Sequence, residues 1–358
     1  MATDWTTIVN TTTSRYLKEV EVNILRQRRL LAMLKSKGRI TYGEGGRKLD
    51  WKVKYKRAPL MGYADGDTIT FARRDRHKTA EMDWRSYNLT DMVSKMDRLK
   101  NKGPAQIINI FAGIAESMME DIEENFCDEL YGNGSSNTRK LHGLETFTGD
   151  GGAISGSVVR SPSSTYAGIS CVPGAYGGSW TGTWPDGYGD AHYDFWSPIL
   201  VDYGSSNWGG SGQTWSKNGF DAVRYALMKA RRSKSMKGAP DLVLMTDEMY
   251  RTLLSVMDDK EQINVTRGAD SGKVALGFPA SVVFDGVELF WEFGTPASTA
   301  YVFNTNQMEL VSMQPKLFEV TGPELEMSTQ SYRFMVDFYG NVKYNPRSFA
   351  KLYQYTGP

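Results

Sequence analysis

Three histidines, two cysteines, one glycine–lysine loop and one carboxylate-lined helix are the features of this 358-residue chain that could do chemistry. A zinc or hydrolytic centre needs several ligands or proton carriers that converge. His77, His142 and His192 stand far apart, and none belongs to a His-Glu-x-x-His pair. Cys127 and Cys171 are too few for a disulfide framework or a four-cysteine zinc site. Residues 268–273 read Gly-Ala-Asp-Ser-Gly-Lys, one residue short of a phosphate-binding Walker loop, and Val274 stands where that loop needs Ser or Thr. There is no Gly-x-Ser-x-Gly elbow, and no Gly-x-Gly-x-x-Gly follows a strand. The chain therefore reads as non-enzymatic, with no catalytic residue, no metal ligand set and no cofactor.

Charge and aromatic residues carry more information. Lys52, Lys54 and Lys56 alternate with Trp51, Val53 and Tyr55, and Arg57, Arg73 and Arg74 follow. Residues 39–102 hold sixteen Lys or Arg against nine Asp or Glu, a balance of +7. Residues 103–130 hold no cation and seven carboxylates, among them Glu116, Glu120, Asp121, Glu123 and Glu124, a balance of −7. Such a row on one helix is ordinarily a solvated or salt-bridged face. Two adjacent segments of opposite sign in a chain of net charge +1 point to electrostatic docking, either within the chain or between copies. Net neutrality disfavours a protein that binds DNA chiefly through phosphates. In residues 149–215, fifteen glycines and five of the nine tryptophans meet a single cation, Arg160. Linkers are polar, so this stretch must pack. Trp180, Trp184, Trp196 and Trp208 are read as aromatic contacts to a neighbouring subunit, with a sugar-binding platform as the other use of such residues. In that case His192 and Asp194 would be the first residues to examine.

These side chains need elements to position them. Residues 10–38 suggest a polar arm and a helix, with Leu17, Val20, Ile24, Leu31 and Leu34 on one face and Gly38 as its stop. The alternation of residues 49–56 is a half-buried strand. A turn near Asp65-Gly66 and an extended run over residues 68–71 make it a long hairpin of about ten residues, or roughly 33 Å, per strand. After Gly103-Pro104, apolar residues Ile107, Phe111, Ile114, Met118, Ile122, Phe126 and Leu130 recur every three or four positions, which gives a helix of about seven turns. Further on, helical periodicity covers residues 218–234, Asp241-Leu242-Val243-Leu244-Met245 is a buried strand, and Thr246 caps the next helix. Asp285-Gly286 marks a tight hairpin. Tyr332, Phe334, Val336 and Phe338 alternate, and Gly340-Asn341 is read as a turn before Val342 and Tyr344. Composition is that of an ordered globular protein, at 40% hydrophobic and 23% charged residues, and the order of helices and strands makes it α+β. No secretory signal or membrane span is visible, so the chain reads as soluble and made in a reducing compartment.

This order of parts resembles the tailed-bacteriophage major capsid proteins of the Hong Kong 97 fold. Short stretches carry the resemblance too: Lys140-Leu141-His142-Gly143-Leu144, Tyr166-Ala167-Gly168-Ile169, residues 241–254, and Phe338-Tyr339-Gly340-Asn341-Val342 through Asn345-Pro346-Arg347-Ser348-Phe349-Ala350. The resemblance implies an N-terminal arm and helix (1–38), an extended hairpin called the E-loop with its flanks (39–101) and a P-domain spine helix with its following loop (102–145). An A-domain follows (146–300), with a Gly/Trp-rich insertion at about 171–216, and then strands returning to the P-domain (301–358). It also implies a subunit that forms hexamers and pentamers of itself and closes an icosahedral shell around double-stranded DNA without sequence-specific binding. The expected setting is the virion, with assembly in the host bacterial cytoplasm, a portal protein, a decoration protein and no membrane. Fewer than 50 residues precede the hairpin, so a separate scaffolding protein is expected in place of a cleaved N-terminal region. Some members cross-link Lys to Asn; Lys52, Lys54, Lys56 and Asn345 are the right types, but nothing in their spacing singles them out. An encapsulin-type compartment, and more remotely a carbohydrate-binding or carbohydrate-processing protein, are the alternatives.

Overall fold

The computed structural model describes residues 28–69, 71–100, 110–231, 239–258 and 282–356. Leu17, Val20, Ile24, Ile107, the Gly103-Pro104 helix start and the loop 268–273 lie outside them. Two sheets organise the rest. The larger has eight strands in the spatial order Val282–Phe284, Val287–Trp291, Leu242–Met245, Thr299–Phe303, Ala350–Tyr353, Ile199–Asp202, Val159–Pro162 and Asp150–Ala153. Its central strands are apolar without alternation because both faces are covered. Leu242, Leu244, Tyr301 and Phe303 enter one core, whereas Val243, Met245, Ala300 and Val302 enter the other. Helices Trp215–Ala230 and Asp247–Asp258 cover the second face through residues such as Val223, Leu227 and Leu253. At one edge, Asp285 (φ 49°) and Gly286 (φ 78°) both take left-handed backbone, the two-residue turn that the Asp-Gly pair predicts.

The smaller sheet is built on Ser331–Tyr344, a strand of 14 residues. Its first ten residues pair with Arg85–Ser94, and Glu319–Glu326 runs along its opposite edge. Its last five pair with Met308–Ser312, which in turn runs parallel to Ile40–Thr41. The strand passes straight through Gly340-Asn341, so the turn expected there is corrected. Gly340 is required by close approach: a Cβ would lie 2.2 Å from the Val311 carbonyl oxygen. Asn341 is fully buried and substitutes for absent ladder partners. Its amide donates to the Asp83 carbonyl at 2.9 Å, and its oxygen accepts from the His142 backbone N–H at 3.3 Å.

The spine helix, Ile110–Glu129, lies against this sheet. Phe126 meets Phe338 at 4.6 Å and Phe318 at 5.5 Å between ring centroids, and Phe111 meets Tyr332 and Phe334 at 5.3 and 5.4 Å. Met118, Ile122, Phe126 and Leu130 are buried, as the spacing predicts. Helix Arg29–Ser36 buries Leu30, Leu31 and Leu34 beside it and stops at Gly38, whose φ is +61°.

The hairpin pairs Leu49–Lys54 with His77–Met82, with Leu49 opposite Met82 and Lys54 opposite His77. Six paired residues span about 20 Å, shorter than expected, and no strand is assigned at Thr68, Ile69 or Phe71. These residues are exposed and have no partner strand among the described residues to satisfy an extended backbone. The return strand instead begins at His77, and Arg85–Ser94, expected as a hairpin flank, belongs to the smaller sheet.

Candidate assembly surface

At the base of the hairpin, Trp51, Val53 and Tyr55 turn inward while Lys52, Lys54 and Lys56 point out. The inward residues rest on the glycine- and tryptophan-rich segment: Trp51 lies 6.5 Å from Trp196 and Tyr55 lies 5.7 Å from Phe195. Tyr166-Ala167-Gly168-Ile169 forms a small hairpin whose Ala167 carbonyl accepts from the Glu81 N–H at 3.0 Å. Its buried Tyr166 hydroxyl donates to the Val342 carbonyl at 2.8 Å. Strand alternation therefore fixes a row of cations on the outer face.

Lys52, Lys54, Lys56, Arg57, Arg73 and Arg74 are all exposed, and none forms an ion pair among the described residues. Two adjoining cavities, of about 390 and 610 Å³, run along the hairpin base and share Val53, Lys54 and Asn345. Lys52, Lys54, Arg39 and Lys343 line the first; Lys54, Lys56, Arg57 and Arg347 line the second. The sequence reading missed Arg39, just before the hairpin, and Lys343 and Arg347, which chain topology brings to it from the far end of the sequence. Two of them are matched locally, Lys343 by Glu309 at 3.2 Å and Arg347 by Asp194 at 3.3 Å. The trough keeps a positive excess that suits a carboxylate-bearing surface.

The acidic face of the spine helix divides in two. Glu123 pairs with Lys35, Glu124 and Asp128 with Arg28 at 3.4 and 2.7 Å, and Glu129 with Lys140 at 3.2 Å. Glu116, Glu120 and Asp121 are exposed and form no ion pair among the described residues. The intramolecular partners of this face thus come from the N-terminal helix and the loop after the spine, not from the hairpin.

The tryptophans expected to face a neighbour are mostly spent inside the chain. Trp196 is 1% exposed and its indole N–H donates to the Tyr166 carbonyl at 3.2 Å. Trp184 is buried in the core behind the larger sheet. Trp180 stacks on Tyr193 at 5.3 Å, and Trp208 donates to the Asp202 carbonyl at 2.8 Å while meeting Tyr225 edge-on. The correction has a physical cause: a segment poor in charge and lying on the hairpin base and the larger sheet buries its aromatics against its own chain.

His77 is exposed, and His142 and His192 are half-buried in separate places. Burial, aided by Arg85 at 3.3 Å, holds the His142 imidazole down at about 4, a neutral ring at ordinary pH. Among the described residues no group of three His, Cys, Asp or Glu side chains converges as a metal site. No helix among them is long and apolar enough to cross a membrane.

No protein-family model and no curated protein matches this sequence. Solved structures do match. The capsid of cyanophage A-1(L) superposes with a TM-score of 0.59 at 12% identity, covering 96% of this chain and 97% of that one. The capsid of the Myoviridae phage XM1 gives 0.57 at 11%, covering 96% and 97%. The SrpI encapsulin of Synechococcus elongatus PCC 7942 gives 0.56 at 11%, covering 98% of each chain. With 96–98% of its length covered by these likenesses, the chain has the α+β Hong Kong 97-type capsid fold.

Proposed function

We propose that this chain is the structural subunit of an icosahedral viral capsid and assembles with copies of itself, as hexamers and pentamers, around double-stranded DNA. The observation that carries the reading is likeness over the full length of both chains to capsid structures, with no large part of either left over. A shell subunit works by repeated geometry, and each contact can be weak because many repeats close the shell. The hairpin cations and Glu116, Glu120 and Asp121 are complementary surfaces that form no ion pair among the described residues. We assign them to the contact in which the E-loop of one copy lies on the spine of the next. In this reading residues 39–101, 102–145 and 146–300 are the E-loop region, the P-domain spine and the A-domain, the shell is assembled in the host bacterial cytoplasm, and scaffolding, portal and decoration proteins are its heterologous partners. The subunit has no catalytic role.

An encapsulin-type compartment is the second reading, favoured by the comparable likeness to the SrpI shell. Electron microscopy of the purified chain, together with its absorbance ratio at 260 and 280 nm, tests both. Closed angular shells of uniform diameter with nucleic acid inside are expected. Shells filled with protein would favour the compartment, and a species that stays monomeric with every candidate scaffold would overturn the shell reading.

A further inference from the structure

Where three elements meet, the chain buries a carboxylate that the shell reading does not use. Glu292 follows the strand Val287–Trp291, is 1% exposed, and its own N–H is tied to the Met245 carbonyl at 3.0 Å. Its Oε2 accepts from the Leu30 N–H at 3.0 Å across 262 residues of sequence. Leu30 sits in the first turn of helix Arg29–Ser36, whose N-cap residue Arg28 supplies no side-chain cap. The first N–H groups of a helix have no intrahelical partner, and a carboxylate is among their best acceptors. This helix takes its cap from the end of a strand in the larger sheet. The other oxygen, Oε1, makes no hydrogen bond among the described residues.

We propose that Glu292 is a proton-operated latch that fastens helix Arg29–Ser36 to the larger sheet and to the end of the spine helix. The groups facing it come from every element at the junction. From the N-terminal helix come Arg28 and Arg29, the latter with its guanidinium over the Phe290 ring at 4.3 Å. From the end of the spine come Cys127, Asp128 and Tyr131. Tyr250 of helix Asp247–Asp258 acts on Arg29. Arg28 is already committed to Asp128 and Glu124, so an ionised Glu292 does not have that cation to itself. Burial pushes the Cys127 thiol and the Tyr131 hydroxyl up, which keeps both neutral. The junction is close-packed: a Cβ on Gly294 would lie 2.4 Å from an Arg28 nitrogen and 3.1 Å from an Asp128 oxygen.

Burial raises the Glu292 carboxyl from 4.5 to about 7, against the opposing pull of the Leu30 amide and Arg28. In the undocked helix the carboxyl is in water and titrates in the ordinary range. Docking therefore takes up a proton at pH values between the two. Attachment is strongest below about 4.5, weakens about tenfold for each pH unit up to about 7, and is constant above it. Acid tightens the helix and alkali loosens it. Glu292→Gln keeps the acceptor for Leu30 without the charge, so it should hold the helix in the tight state at every pH.

Hydrogen–deuterium exchange of the full chain tests this, with amides 30–36 read at pH 5.5 and 7.5 and corrected for intrinsic exchange. In the wild type, protection of that helix is expected to fall more than tenfold between the two, while helix Trp215–Ala230 stays flat; in Glu292→Gln both stay flat. Should the variant not fold, the wild type labelled with 13C-carboxyl glutamate supplies the second reading, one carboxyl titrating with a midpoint near 7. Wild-type protection that does not change with pH, a variant that keeps the wild-type dependence, or a glutamate set that titrates wholly near 4.5 would each overturn the latch.

Discussion

The larger sheet and the hairpin are made from the same chain by opposite rules. Leu242–Met245 buries every residue, and each neighbouring strand supplies its ladder. Leu49–Lys54 buries none fully, turns three residues half-inward, and presents Asp50, Lys52 and Lys54 to solvent. Beyond it, Leu60 is fully exposed and Phe71 is 91% exposed. Monomeric proteins do not ordinarily hold large apolar side chains and unpaired cations together at a projecting tip. The contrast separates residues that stabilise the chain from residues that the proposed function assigns to a contact between copies.

The largest expected effect breaks that contrast at the hairpin. Reversing Lys52, Lys54 and Lys56 to Glu should abolish shells seen by electron microscopy, while the unfolding free energy of the isolated subunit stays within about 0.5 kcal/mol of wild type. Reversing Glu116, Glu120 and Asp121 to Lys should do the same, and the two sets combined should restore shells. Normal shells from the lysine triple variant at physiological salt would end the assignment of hairpin to spine.

The second effect lies on the other side of the contrast. Trp196→Ala removes a ring packed against Trp51 and Tyr166, and should cost the subunit about 3–5 kcal/mol. Urea denaturation of the unassembled chain checks it. A variant of unchanged stability that failed only in assembly would return Trp196 to an interface.

How far the fold was legible follows from what each residue had to satisfy. Alternation at Leu49, Trp51 and Val53, helical spacing from Phe111 to Leu130, and Asp285-Gly286 are local signals, and each gave its element. Arg85–Ser94 was hidden because its alternation breaks at the exposed residues Thr90, Asp91 and Met92 and its partner, residues 331–340, is remote in sequence. Gly340 looked like a turn because glycine marks both positive φ and close approach, and only the Val311 carbonyl distinguishes them. In the candidate surface the hairpin cations were legible as a run. Arg39, Lys343, Arg347 and Glu292 were not, since their roles depend on contacts between the two ends of the chain.

Gly340→Ala sharpens this reading at smaller magnitude. The added methyl must displace the Met308–Ser312 strand or the Phe338 ring, at about 1–3 kcal/mol. The pairing of Ser312 with residue 340 should lose amide protection first.

The smallest net effect in the wild type is one of pH, because it sets half-buried His142 against buried Glu292. His142 is held down at about 4 in the folded chain, beside Arg85, against about 6.5 when unfolded. The unfolded state thus binds the extra proton between those values. The contribution of a neutral His142 is complete above pH 6.5 and is lost as pH falls toward 4. Glu292 has the opposite sign: its raised value favours the folded state in acid, and that advantage declines as pH rises from 4.5 to about 7. A wild-type melting profile over pH 4.5–7 reports their difference and can look flat. His142→Gln should expose the glutamate, giving a melting temperature that falls as pH rises. Glu292→Gln should expose the histidine, giving one that rises with pH. Identical slopes in the two variants would show that neither group titrates as its surroundings dictate.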